Sequence, residues 1–215
     1  EIMPSLVGSE MCIRDRMGMD VYGNDPKIEK GMDEFPIYAK YEDMNWGDRE
    51  KDPQWEKVKD KFWEELKSYE DSNPGIYFRN NCWWWRPLWD YCLFVDVHYT
   101  LKLIDNELYK SGHCNDGAGL NDKDSITLAM HLQMSLEDGT AKTYANERQQ
   151  YMDSLEDEPC SRCNNNNRGH NKKKNCNPCD GEGTQKPFQT HYPFHLDNVA
   201  QFAKFLEYSG GFSIN

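Results

Sequence analysis

Residues 75–92 read GIYFRNNCWWWRPLWDYC and hold Trp83, Trp84, Trp85 and Trp89, four of the chain's seven tryptophans. Tyr77, Phe78 and Tyr91 flank them. Each such ring buries roughly 150–250 Å², so the fold has to put its core here. Arg79, Asn80, Asn81 and Arg86 sit among these rings. Polar groups in such company are hydrogen-bonded or face a cleft. The chemical reading is a pocket walled by tryptophan, formed by Arg79, Asn80, Asn81, Trp84, Arg86 and His98, with Asp96 nearby for acid–base work. The plainer reading is a satisfied core histidine and arginines stacked on indoles. Neither reading names a reaction.

Composition narrows the classes. A chain of 215 residues makes one domain, or one domain with a small module. A net charge of −12 repels phosphate backbones and disfavours general nucleic-acid binding. No run approaches the roughly 20 apolar residues of a membrane span. The longest, residues 93–104, is broken by Asp96, His98 and Lys102. The start shows neither a basic stretch nor a long apolar one, so no signal peptide is read there.

The most specific chemistry lies in two C-x-x-C pairs, Cys160/Cys163 and Cys176/Cys179, with twelve residues between them. Each turn presents two thiolates along one edge of a tetrahedron, and together they offer zinc four soft ligands. Such a site is closed: it holds a fold together and has no open position to activate water. Two reduced pairs, or a disulfide pair, are the alternatives; His170 is a weaker substitute ligand. Paired thiols and no signal peptide favour a reducing, cytoplasmic setting. Between the pairs, Arg168, His170, Lys172, Lys173 and Lys174 form a basic tip on an acidic chain. The tip suits contact with nucleic acid or an acidic partner, or is a solvated hairpin end.

The second pair continues as C-x-x-C-x-G-x-G, through Gly181 and Gly183. This resembles the repeat of the DnaJ-type cysteine-rich domain over residues 160–183. The resemblance implies zinc ligation by Cys160, Cys163, Cys176 and Cys179, with glycines letting the backbone turn around the metal. Four asparagines follow Cys163 where that repeat has glycines, and no His-Pro-Asp of a J-domain is present, so co-chaperone activity is not implied.

Two further resemblances bear on the ends and the whole. PSLVGSEMCIRDR, within residues 1–16, resembles a peptide recurring at the ends of unrelated environmental gene models, where it is translated sequencing adapter. The expectation is a non-native or disordered leader and a start at Met17. The blocks GMDVYG, FRNNCWWWRPLW, the two C-x-x-C pairs and NVAQFAKFLEYSGGF resemble uncharacterised proteins of bacteriophages and environmental bacteria. That implies a common fold and an intracellular setting, the host cytoplasm for a phage protein, and brings no activity with it.

Periodicity supplies the elements. Residues 17–22 alternate as a strand, and residues 25–52 are irregular. Asp52-Pro53 starts a helix whose apolar stripe is Trp55, Val58, Phe62, Leu66 and Tyr69, ended by Asn73-Pro74-Gly75. Residues 76–79 form a strand. Arg86-Pro87 starts a buried helix, with a strand over 93–99 as the alternative. Residues 111–121 are a loop, in which His113, Cys114 and Asp116 suggest a thiol nucleophile on a poorly rigid support. Asn121 or Asp122 caps one helix and Thr140 the next. Residues 188–194 are a strand, Asp197 caps a last helix ended by Gly210-Gly211, and residues 212–214 are a final strand.

The expectation is an α+β fold: several helices packed around a small, mostly antiparallel sheet, with a zinc-binding hairpin inserted at 159–183 into a domain of residues 17–158 and 184–215. The expected function is binding of a protein partner by a small zinc protein. An enzyme using the tryptophan region, or nucleic-acid contact through the basic tip, are the alternatives.

Overall fold

The computed structural model describes residues 18–160, 162, 176 and 179–215. A three-stranded antiparallel sheet lies at the centre, in the order β2-β1-β5. It comprises β1 (Met19–Gly23), β2 (Tyr77–Asn80) and β5 (Phe212–Ile214). Eight α-helices are formed by the described residues: α1 (Pro36–Tyr41), α2 (Trp46–Arg49), α3 (Trp55–Ser72), α4 (Cys82–His98), α5 (Asn106–Ser111), α6 (Asp122–Glu137), α7 (Thr140–Ser154) and α8 (Leu196–Tyr208). A second, two-stranded antiparallel pair joins β3 (Glu158–Pro159) to β4 (Thr184–Gln185). The fold is α+β, as the sequence predicts. Among the described residues no helix is long and apolar enough to cross a membrane.

Alternation in the central strands sends Met19, Val21, Phe78, Phe212 and Ile214 to one buried face. Onto it pack Trp85, Leu88, Trp89 and Cys92 of α4, Leu128 and Leu132 of α6, and Phe202, Phe205 and Leu206 of α8. A smaller cluster sets Phe35, Tyr38 and Tyr41 against Trp55, Phe62 and Tyr69 of α3. The predicted α3 stripe is therefore the packing face. Asn73 closes α3 as a fully used side chain. Its Oδ1 accepts from the backbone N–H groups of Glu29 and Lys30, and its Nδ2 donates to the carbonyls of Lys30 and Tyr69.

The structure corrects several boundaries. The helix through the tryptophans starts at Cys82, with Asn81 as its cap accepting from Trp84 N–H at 3.0 Å. Pro87 stands inside α4, at its sixth position, and residues 93–98 are helical rather than a strand. Helix α3 starts at Trp55, while Asp52 accepts from Gln54 N–H and from the Tyr41 hydroxyl. Gly139, at φ 85°, occupies the cap of α7, and Asp138 accepts from Thr140 N–H. Residues 188–191 form a 3-10 helix rather than a strand. Asp197 lies in the first turn of α8, whose cap position is His195.

Gly75 packs directly against the backbone at the end of α8. A Cβ there would stand 2.1 Å from the carbonyl oxygen of Tyr208, at the end of α8. Backbone cannot swing aside as a side chain can. Gly75→Ala is expected to cost roughly 1–3 kcal/mol by overpacking. That should lower the thermal midpoint by roughly 5 °C in a melt followed by circular dichroism.

Candidate metal centre

Helix α7 runs out at Ser154, and the chain enters β3, which pairs Glu158 with Gln185 and Pro159 with Thr184. The ladder continues one step further, with Cys160 N–H donating to Gly183 carbonyl at 2.9 Å. Cys179 N–H donates to Cys176 carbonyl at 3.1 Å, and Glu182 N–H donates to Cys179 carbonyl at 2.8 Å. Gly181 and Gly183 take φ of 89° and 85°, the left-handed region that glycine enters without steric cost. This gives the two glycines of the C-x-x-C-x-G-x-G stretch a physical role: they curl the backbone so that Gly183 N–H points at Cys179 Sγ, 3.4 Å away.

The result is a cluster of three buried cysteines, Cys160, Cys176 and Cys179, whose sulfurs all lie within 4.8 Å of one another. Cys160 Sγ and Cys176 Sγ are 3.7 Å apart. A disulfide needs about 2.05 Å, so this pair is not bonded. A tetrahedral zinc with Zn–S near 2.3 Å has sulfur–sulfur edges of about 3.8 Å. The cluster thus has the donor chemistry and the spacing to hold a metal ion. Cys163 and the basic tip of Arg168, His170, Lys172, Lys173 and Lys174 lie outside the described residues, as does the 1–16 segment.

The tryptophan region is different. Its six candidate pocket residues do not converge. Arg79 is exposed on β2 and faces Asp20, which also accepts from the Tyr77 hydroxyl. Asn80 is buried and donates to Asn198 Oδ1 at 2.8 Å. Asn81 is the helix cap just described, and Trp84 is 43% exposed, with its ring against His195. His98 stacks on Phe94 at the opposite end of α4, about 25 Å from Asn81 at 1.5 Å per residue. Asp96 caps the following loop by accepting from Leu103 N–H. Asp116 is exposed, whereas the half-buried ring of His113 faces Asp90.

Arg86 turns instead toward a half-buried polar cluster that sequence reading misses. One turn along α4, Asp90 accepts from the Tyr109 hydroxyl at 2.7 Å and lies 3.7 Å from His113 Nε2. Burial pushes the Asp90 carboxyl up, partly countered by that hydroxyl, Arg148 and Arg86. Burial, then Arg86, pulls the imidazole of His113 down to about 4. Read by distance alone, Asp90 and His113 form an ion pair; both shifts oppose charge, and a neutral contact fits the burial better. His113 Nδ1 is buried without a partner among the described residues.

That arrangement has a pH consequence. The folded pKa of His113 lies below its usual 6.5, so the unfolded chain binds the proton first. The stability it confers is complete above about pH 6.5 and is lost as pH falls toward 4. Asp90 acts in the opposite sense, gaining stability as it protonates. His113→Gln is expected to shrink the drop in unfolding free energy between pH 7 and pH 4 by roughly 2–3 kcal/mol. Urea titrations at both pH values check it; an unchanged drop would show that another group carries the acid sensitivity.

No known family matches the chain, and neither does any curated protein or solved structure.

Proposed function

We propose that the chain is a zinc-binding protein in which Cys160, Cys163, Cys176 and Cys179 hold one structural ion, and that it works by binding a protein partner. The 3.7 Å separation of Cys160 Sγ and Cys176 Sγ, matching a tetrahedral edge, carries the zinc assignment. Cys163 supplies the fourth thiolate, since it stands in the same C-x-x-C relation to Cys160 as Cys179 does to Cys176. Four thiolates leave no place for a reacting water, so the ion shapes a hairpin and does no chemistry. The hairpin then presents its basic tip to an acidic protein surface, the net charge of −12 weighing against nucleic acid. The likeness of the block order to phage and environmental proteins supports a phage origin and a host-cytoplasmic setting.

The test is metal per chain by elemental analysis, on protein started at Met17 and purified without chelator. About one zinc is expected. Fully reduced protein that carries no metal would overturn the assignment.

A further inference from the structure

On α4, Arg86 and Asp90 stand one turn apart, a spacing that sets Cβ atoms about 5–6 Å from each other. An arginine and an aspartate so placed can close into an ion pair. Here they do not: among the described residues no carboxylate comes within 4.0 Å of the Arg86 guanidinium. Asp90 is held elsewhere. Its Oδ1 accepts from the Tyr109 hydroxyl of α5 at 2.7 Å and faces His113 Nε2 at 3.7 Å.

Both groups keep an unused side. Arg86 is 9% exposed and donates no hydrogen bond among the described residues, yet none of its nitrogens is sealed from solvent. Asp90 Oδ2 has no hydrogen-bond partner there either, and it too reaches solvent. The neighbouring groups do not compete for them. Burial, and then Arg86, keeps the His113 imidazole neutral at pH 7. Arg148, from α7, donates one terminal nitrogen to Tyr192 carbonyl, and its Nε is shut away. A guanidinium that is nine-tenths buried and unpaired carries a desolvation cost that a carboxylate partner would offset. Burial pushes the Asp90 carboxyl up, and a cation set against Oδ2 would act against that push.

We propose that Arg86 and Asp90 form a site for a small α-amino acid, its carboxylate accepting from the Arg86 guanidinium and its ammonium donating to Asp90 Oδ2. The two charges of an amino acid flank one carbon. With a hydrogen bond of about 2.7–2.9 Å at each end, it bridges side chains that rise one turn apart. A simple carboxylate or a phosphate would set negative charge beside Asp90 with nothing to balance it. The side chains of Asp90 and His113 are 15% and 17% exposed, so the site opens to one side and the amino acid's own side chain lies outward. Discrimination among small amino acids is therefore expected to be weak.

The experiment titrates the full chain with alanine, propionate and ethylamine, following the Asp90 carboxyl carbon and the Arg86 Nε–H by NMR. Alanine should shift both signals and bind with a dissociation constant of roughly 1–10 mM, within reach of about six non-hydrogen atoms. Propionate lacks the ammonium and ethylamine lacks the carboxylate, and each should bind roughly tenfold more weakly or worse. This comparison uses wild-type chain alone, so it decides the matter whether or not a variant folds. Arg86→Gln should bring alanine down to the level of ethylamine, and Asp90→Asn to the level of propionate. The proposal is overturned if alanine does not bind, if propionate or ethylamine binds as tightly, if alanine leaves the Asp90 and Arg86 signals unmoved, or if either variant, once folded, binds alanine as wild type does.

Discussion

Cys176→Ser is expected to take the metal content from about one ion per chain to near zero and to release the hairpin while the main body stays folded. Structural zinc contributes apparent binding energies of about 10–16 kcal/mol in zinc-finger peptides, and serine is a poor replacement for a soft thiolate. The cysteine cluster is separate from both hydrophobic cores, so its loss should stay local. The hydrogen bond from Cys160 N–H to Gly183 carbonyl is the local reporter. Its amide should exchange with solvent at least a hundredfold faster in the variant, and equally so in wild-type chain treated with chelator. Cys92→Ser is the control. Cys92 is fully buried in the main core, apart from the cysteine cluster. That variant should lose stability and keep its metal. If both variants retain metal equally, Cys176 is not a ligand.

Trp85→Ala should be the most damaging single change in the main core. Trp85 is fully buried, stacks on Trp89 at 5.7 Å and meets Phe202 edge-on. Truncating a buried tryptophan costs roughly 3–5 kcal/mol through lost burial and the cavity left behind. Trp85 Nε1 also donates to Gly112 carbonyl at 2.7 Å, and the orphaned acceptor adds roughly 1–3 kcal/mol. Against a typical stability of 5–15 kcal/mol, the variant should be largely unfolded at 37 °C or close to it. Trp85→Phe keeps most of the ring area and should recover more than half of the loss. Trp84→Ala, one residue away on the exposed side, should cost under about 1 kcal/mol. Denaturant titration of the three variants would check the ranking, and similar costs at Trp84 and Trp85 would contradict the packing described.

What was legible in the sequence was local and periodic. The stripe from Trp55 to Tyr69 could be read because steps of three and four can only line up on a helix. Gly210 and Gly211 could be read as a stop because positive φ, here 60° and 89°, favours glycine. Arg86-Pro87 misled for a physical reason. Proline prefers a first turn, but it can sit deeper when packing outweighs one missing hydrogen bond, and Trp85, Leu88 and Trp89 supply that packing. The Asn81 cap, followed three residues later by Trp84 N–H, was the better sign of where α4 begins. Helix α5, six residues long, is too short to show a stripe in the sequence, although Asp105, which accepts from Glu107 and Leu108 N–H, is an ordinary capping residue. The Asp90, Tyr109, His113 and Arg148 cluster could not be read at all. Its members come from three helices and a loop, and no spacing rule links them. The cysteine cluster was legible because metal chemistry imposes short spacings on the chain itself.

Among the described residues, the middle strand of the central sheet is the first element, and one of its two neighbours is the last. Val21 pairs with Ile214 across about 190 residues of chain. Ordering such a distant contact carries a large closure entropy before any packing repays it, and topologies of this kind fold slowly. On the ribosome, β1 emerges long before β5 exists and has only β2 to pair with. One edge of β1 stays open through most of synthesis, presenting unpaired N–H and carbonyl groups beside Val21. The interval before β5 arrives is the period in which a chaperone, or another nascent copy, would find this protein most receptive.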